Sequence, residues 1–227
     1  MKSWLGAGVA VLLFAQAQVL AGGLLINSGL DDPPDHETDI ATGWTLVEPS
    51  LDSNGIPANS ATFASFANHN LGGTRGLWFR NFEGGLGGDE PFTVDAHLYQ
   101  DVAGTPGDEY TASAWFRFET WYPGANPFSG TDDYLILDFL DGSNSSLGAV
   151  VVNADDSYPG NDSWFQVSAT GTAPAGTVSV RVQASFIGGE LQVNNPQSAF
   201  VDDFFLTPEP ASALLLLVPL FALRRRG

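Results

Sequence analysis

Two Trp-x-Arg triplets, Trp78-Phe79-Arg80 and Trp115-Phe116-Arg117, are the chain's most distinctive chemical groupings, and Trp121 follows the second in the same alternating phase. A flat indole beside a guanidinium fork suits sugar binding, because the ring covers apolar C–H faces while the fork fixes hydroxyls. The same residues equally make a cation-π pair on a solvated sheet face, and both readings stand. Other chemistries find little footing. The chain has no cysteine, no Gly-x-Ser-x-Gly elbow and no phosphate-cradling loop. His36, His69 and His97 lack zinc-ligand spacing. Acidic residues are so numerous that a pair at glycosidase separation carries no information. The expected activity is therefore non-catalytic.

The elements that must position these residues read as strands. Alternating or β-branched and aromatic stretches run over Leu24–Asn27, Trp44–Val47, Ala61–Phe66, Gly76–Phe82, Phe92–Val102 and Glu109–Thr120. They continue over Asp133–Leu140, Leu147–Asn153, Trp164–Thr170, Thr177–Phe186 and Ala199–Leu206. Gly, Pro, Asn and Asp punctuate the gaps, as at Gly104-Thr105-Pro106-Gly107 and Tyr158-Pro159-Gly160. In the stretch from Tyr110 to Trp121, one face collects Tyr110, Ala112, Ala114, Phe116 and Phe118 as core. The other carries Thr111, Ser113, Trp115, Arg117, Glu119 and Trp121. Trp44 and Trp164 are expected in the core. Many short strands with such turns predict an all-β fold, a single sandwich or jelly roll.

The formal net charge is −18. Outside the two ends the only cations are Arg75, Arg80, Arg117 and Arg181. Such a surface repels phosphate backbones, which argues against a nucleic-acid partner and is compatible with neutral glycans and divalent cations. Without disulfides, stability must come from core burial, with a bound metal as a further candidate.

The ends carry address labels. Residues 1–21 combine Lys2, an apolar run Leu5–Phe14 and a small-x-small site at Ala15-Gln16-Ala17, the pattern of a secretory signal peptide. Residues 22–207 form the expected β-sandwich domain. The tail, 208–227, contains Pro208-Glu209-Pro210, the run Ala211–Leu223, then Arg224, Arg225 and Arg226. Its thirteen-residue run would span about 20 Å as a helix, short of the roughly 30 Å hydrocarbon layer. The arginines are expected on the cytoplasmic side, as in a short transmembrane helix held briefly. This tail resembles the PEP-CTERM sorting signal of Gram-negative bacteria. That resemblance implies recognition by the export machinery and an exosortase, transient insertion in the inner membrane, and release to the cell surface or an extracellular polysaccharide matrix. An ordinary C-terminal anchor is the alternative.

Within the domain, Leu25-Ile26-Asn27-Ser28-Gly29-Leu30-Asp31 with Gly43-Trp44-Thr45 is similar to the opening of jelly-roll carbohydrate-binding modules of the galactose-binding-like fold. The central stretches Leu98–Val102, Pro106–Thr111 and Phe139–Gly142 fit the same pattern. So do Trp164-Phe165-Gln166, Ala173–Gly176 and Phe200-Val201-Asp202-Asp203-Phe204. The resemblance implies a sandwich associated with exopolysaccharide, or a lectin-like module with a defined glycan ligand, for which Trp78, Arg80, Trp115, Arg117 and Trp121 are the candidate contacts. It also implies a structural Ca²⁺ where the first and last strands meet, with Asp31, Asp202 and Asp203 as ligands. Leu30-Asp31 stands where the family often has Phe-Glu, one carbon longer. The bland alternative for these acids is a solvated strand end.

Overall fold

In a computed structural model, the described residues are 23–34, 39–51, 55, 60–80, 93–120, 122, 130–190 and 198–209. The expected signal peptide, most of the tail, and Trp121 lie outside them. Alternating side-chain patterns form ten strands: β1 (Thr45–Val47), β2 (Ala61–Ala64), β3 (Gly76–Arg80), β4 (Thr93–Ala103) and β5 (Glu109–Phe118). These are followed by β6 (Asp132–Leu140), β7 (Ser146–Asn153), β8 (Phe165–Thr172), β9 (Ser179–Glu190) and β10 (Ser198–Glu209).

They assemble into two antiparallel sheets of five strands, ordered β1-β4-β9-β6-β7 and β2-β3-β10-β5-β8. The chain changes sheet at almost every connection from β3 onward, so sequence neighbours face each other across the core rather than pairing. This is the architecture of a jelly-roll β-sandwich.

The inward rows behave as their alternation predicts. Val180, Val182, Ala184 and Phe186 of β9 are buried against the opposite sheet's Leu77, Phe79, Phe116 and Phe118. Phe79 and Phe186 stack across the two sheets, with ring centroids 5.2 Å apart and planes 8° apart. Trp44 enters the same core, its ring 4.5 Å from that of Phe204.

One expected strand is absent. The segment Leu24–Asn27 makes a single ladder-like bond, from the Leu24 amide to the Leu206 carbonyl, and then turns. Asn27 sits at φ 49°, and its side chain bridges to Asp32, donating to the carbonyl and accepting from the amide. Asparagine tolerates that conformation and closes the turn with its own amide, so its apolar neighbours Leu24, Leu25 and Ile26 do not prevail. At the other end, the last strand extends beyond Leu206, and Pro208 and Glu209 pair with Tyr110 and Glu109 of β5.

Candidate functional site

On the outer face of the first sheet, side chains form continuous cross-strand rows, most of them partly buried and Ser185 fully so. Across all five strands run Val47, His97, Ser185, Tyr134 and Asn153, and beside them Thr45, Tyr99, Gln183, Ile136 and Val151. A third row brings Asp101, Arg181 and Asp138 together. With strands about 4.8 Å apart, four gaps make a strip roughly 19 Å wide.

Its polar groups are tied down by one another. Arg181 grips Asp101 bidentately, at 2.7 and 2.8 Å, and its guanidinium lies 3.8 Å from the Tyr99 ring centroid. The carboxylate pairing holds the Arg181 pKa above its ordinary value. Gln183 Nε2 donates to Ser185 Oγ at 2.7 Å, and His97 Nδ1 lies 3.0 Å from the same hydroxyl. Burial pushes the His97 pKa down, against the opposing pull of Asp95, which favours the neutral ring at pH 7. The strip thus offers two phenol rings, a primary amide, a neutral imidazole and hydroxyls on a rigid sheet.

The residues singled out from the Trp-x-Arg pattern gather on the outer face of the second sheet. β3 and β5 flank β10, and Phe200 of β10 lies in register between Trp78 and Arg117. This face is roofed. The connection from β2 folds back as a 3₁₀ turn, Ser65–Ala67, whose Phe66 packs edge-on to Trp78 and Phe200. Phe200, Ala64 and Ala67 form a small second core, with Trp78 and Trp164 against it. Trp164, expected in the main core, packs here instead. The Arg117 guanidinium stacks on Phe200 at 4.6 Å, and Arg80 lies over Trp78 at 5.1 Å. Gly76 permits the roof, since a Cβ there would meet the Ala67 carbonyl oxygen at 2.1 Å.

Beside this roof, the two chain-end acidic stretches meet. Asp202 and Asp203 lie where β10 bulges, its pairing with β5 slipping between Asp202 and Phe205, and Asp203 sits at φ 47°. Asp202 is fully buried and accepts from the amides of His69 (2.8 Å) and Asp203 (2.7 Å). Burial raises its pKa to about 8. Asp203 Oδ2 lies 2.7 Å from His69 Nδ1, and the His69 ring stacks on Trp115 at 4.3 Å. Asp31 accepts from the Thr74 amide and hydroxyl.

The fit to a hard cation can be judged from the glycines. A Cβ on Gly29 would meet Asp31 Oδ2 at 2.8 Å and Asp203 Oδ1 at 3.3 Å, and one on Gly73 would meet Asn68 Oδ1 at 2.5 Å and Asp31 Oδ1 at 2.9 Å. Glycine backbones therefore make room for converging oxygens, a donor set suited to Ca²⁺. Among the described residues no group of three acidic, His or Cys side chains is arranged to hold a metal, so backbone oxygens or water would have to complete the shell.

Sequence reasoning missed the first-sheet strip. Tyr99, His97 and Tyr134 carry no local motif, and the row exists only through pairings of distant strands. It also missed His69, which reaches Asp203 across 134 positions of sequence.

No family model matches the chain, and no curated protein matches it. Solved structures do. The enzymatically active domain of tailspike protein 4 from bacteriophage CBA120 superposes with a TM-score of 0.56 at 12% identity, over 82% of this chain and 21% of that one. The chain thus spans about a fifth of that protein. A cyclase from Fischerella sp. TAU, in complex with 4-(1H-indol-3-yl)butan-2-one, gives 0.52 at 16% identity, covering 84% and 99% of the two chains. The module TmCBM61, in complex with β-1,4-galactotriose, gives 0.49 at 15% identity over 82% and 99%. The tailspike and cyclase matches establish a shared sandwich fold.

Proposed function

We propose that the chain is an exported, non-catalytic carbohydrate-binding protein that attaches to a neutral polysaccharide through the outer face of the β1-β4-β9-β6-β7 sheet. The observation that supports this reading is the strip of Tyr99, Gln183, His97 and Tyr134, which brings aromatic rings and hydrogen-bonding groups into adjacent rows on one sheet face. Asp101, Asp132 and Asp138 around it discourage anionic polymers, which points to a neutral glycan.

The test is a binding screen of the full chain against neutral and anionic glycans, with single alanine variants. Tyr99→Ala and Gln183→Ala should each weaken binding to the preferred neutral glycan by about tenfold, as loss of one stacking or hydrogen-bonded anchor of roughly 1.4 kcal/mol implies. Trp115→Ala should leave affinity unchanged. The reverse pattern would move the site to the roofed face of Trp78, Arg80, Trp115 and Arg117, the second reading, which rests on their gathering on one sheet face. No binding to any glycan would leave only the role of matrix constituent.

The same proposal includes a structural Ca²⁺ held by Asp31 and Asp203 with backbone oxygens and water, beside Asp202, whose two oxygens are taken by amides, and it is supported by the glycine-lined convergence of oxygens. A chelator should lower the melting temperature, and Asp203→Ala should abolish that response. An unchanged melting curve would remove the ion from this site.

A further inference from the structure

A second acidic site lies at the start of β6 and shares no residue with the first. Asp133 points into the sandwich and is fully buried. Its Oδ2 accepts from the Tyr122 hydroxyl at 2.5 Å, its carbonyl accepts from the Ala154 amide, and its amide donates to Asp155 Oδ2 at 3.0 Å. Asp155 opens the 3₁₀ turn Asp155–Ser157 after β7, where its amide donates to Asn153 Oδ1. Asn153 in turn donates to Asp132 at 3.0 Å. The Asp155 carboxylate is thereby fixed by backbone and not by a free rotamer.

Each of these two carboxylates leaves one oxygen over. Asp133 Oδ1 and Asp155 Oδ1 are buried and have no hydrogen-bond partner. Among the described residues, the charged groups acting on the pair are Asp132 and Asp156, both acidic, and the hydroxyl of Tyr122 is already committed to Asp133 Oδ2. Partnerless buried carboxylate oxygens are costly, and their presence calls for a counter-charge or an added donor. A proton would neutralise one carboxylate of the four, whereas a divalent ion offsets two charges and takes oxygen donors directly.

We propose that Asp133 and Asp155 bind a hard divalent cation, Ca²⁺ by donor chemistry, through their unpaired Oδ1 atoms. Calcium takes six to eight oxygens and readily fills its shell with backbone carbonyls and water, so two carboxylates suffice as anchors. Asp155 is only partly buried and lies on the side of the pair nearer to solvent. Bound there, the ion would join the first turn of β6 to the end of β7 and lock the edge of the glycan-facing sheet.

The experiment is a Tb³⁺ titration of the full chain by sensitised luminescence, followed by displacement with Ca²⁺. Tyr122, bonded to Asp133, is the local sensitiser. Asp155→Asn retains an acceptor for the Asp133 amide and should fold; it is expected to lose one bound ion per chain, or at least tenfold in affinity for it. Asp31→Asn should leave that ion in place. Asp133→Asn should repeat the Asp155→Asn loss if it folds, and near-ultraviolet circular dichroism checks that it does. Equal ion stoichiometry and affinity in wild type and Asp155→Asn would overturn the proposal. So would a melting temperature that responds to acidification but not to Ca²⁺, since the pair would then be held by a proton.

Discussion

Buried carboxyls dominate the chemistry at the scale of single residues. The Asp202 pKa stands at about 8 and that of Asp155 at about 7, chiefly because burial strips water from the charged form. Asp133 is raised in the same direction and for the same cause. An unfolded aspartate titrates near 3.9, so between about pH 4 and 8 the metal-free native state holds protons that the unfolded chain has released. The stability these groups contribute is complete below about pH 4 and is lost as the pH rises through 7 to 8. With chelator present, the melting temperature of the full chain should therefore fall from pH 5 to pH 8, and Asp155→Asn should flatten part of that slope. A rise over this range would contradict the assignment. His97, depressed by burial, works in the opposite sense, but in the range below its ordinary value of 6.5. Asp202-Asp203 stands out in the sequence as an acidic doublet. Which member is buried does not, because Asp202 owes its burial to the bulge and to His69, and neither leaves a local signal.

At the scale of elements, alternation was highly legible. Tyr110, Ala112, Ala114, Phe116 and Phe118 all face the core as period two requires. What alternation could not reveal is lateral order. That β3 and β5 both flank β10, bringing Trp78 and Arg117 to either side of Phe200, depends on pairings more than 80 positions apart. It also gave no hint that the outward face would be roofed, because a 3₁₀ turn three residues long has no hydrophobic period to read. Leu24–Asn27 misled for the complementary reason: its apolar residues suit a strand, but the turn chemistry of Asn27 decides the backbone. Two substitutions probe this level. Gly76→Ala would press a methyl group into the Ala67 carbonyl and should destabilise the fold by about 1–3 kcal/mol in denaturant unfolding, as overpacking does. Phe79→Ala removes half of the stacked pair that joins the sheets and should cost about 3–5 kcal/mol. A loss below 1 kcal/mol there would mean that the sheets are held together elsewhere.

For the whole molecule, the all-β class was legible from turn spacing and composition, and the sandwich is observed. Among the described residues no helix is long and apolar enough to cross a membrane. The tail read as a sorting signal lies outside those residues from Pro210 onward, and we propose export on the sequence pattern alone. Mass spectrometry of the surface form should find the chain ending near Pro208 to Pro210. Arg226 retained in that form would instead identify the tail as a lasting anchor.

The course of β10 bears on how the molecule would carry a load. β10 lies inside its sheet, bonded to β3 through Ser198–Val201 and to β5 as far as Glu209. A pull applied to the chain beyond Glu209 enters the sandwich along this strand. Antiparallel ladder bonds stand perpendicular to the strand, so such a pull shears many of them together instead of peeling them one by one. A tether at that end would therefore meet the most mechanically resistant direction of the sheet, and under tension the domain should hold until much of the β5–β10 ladder fails at once.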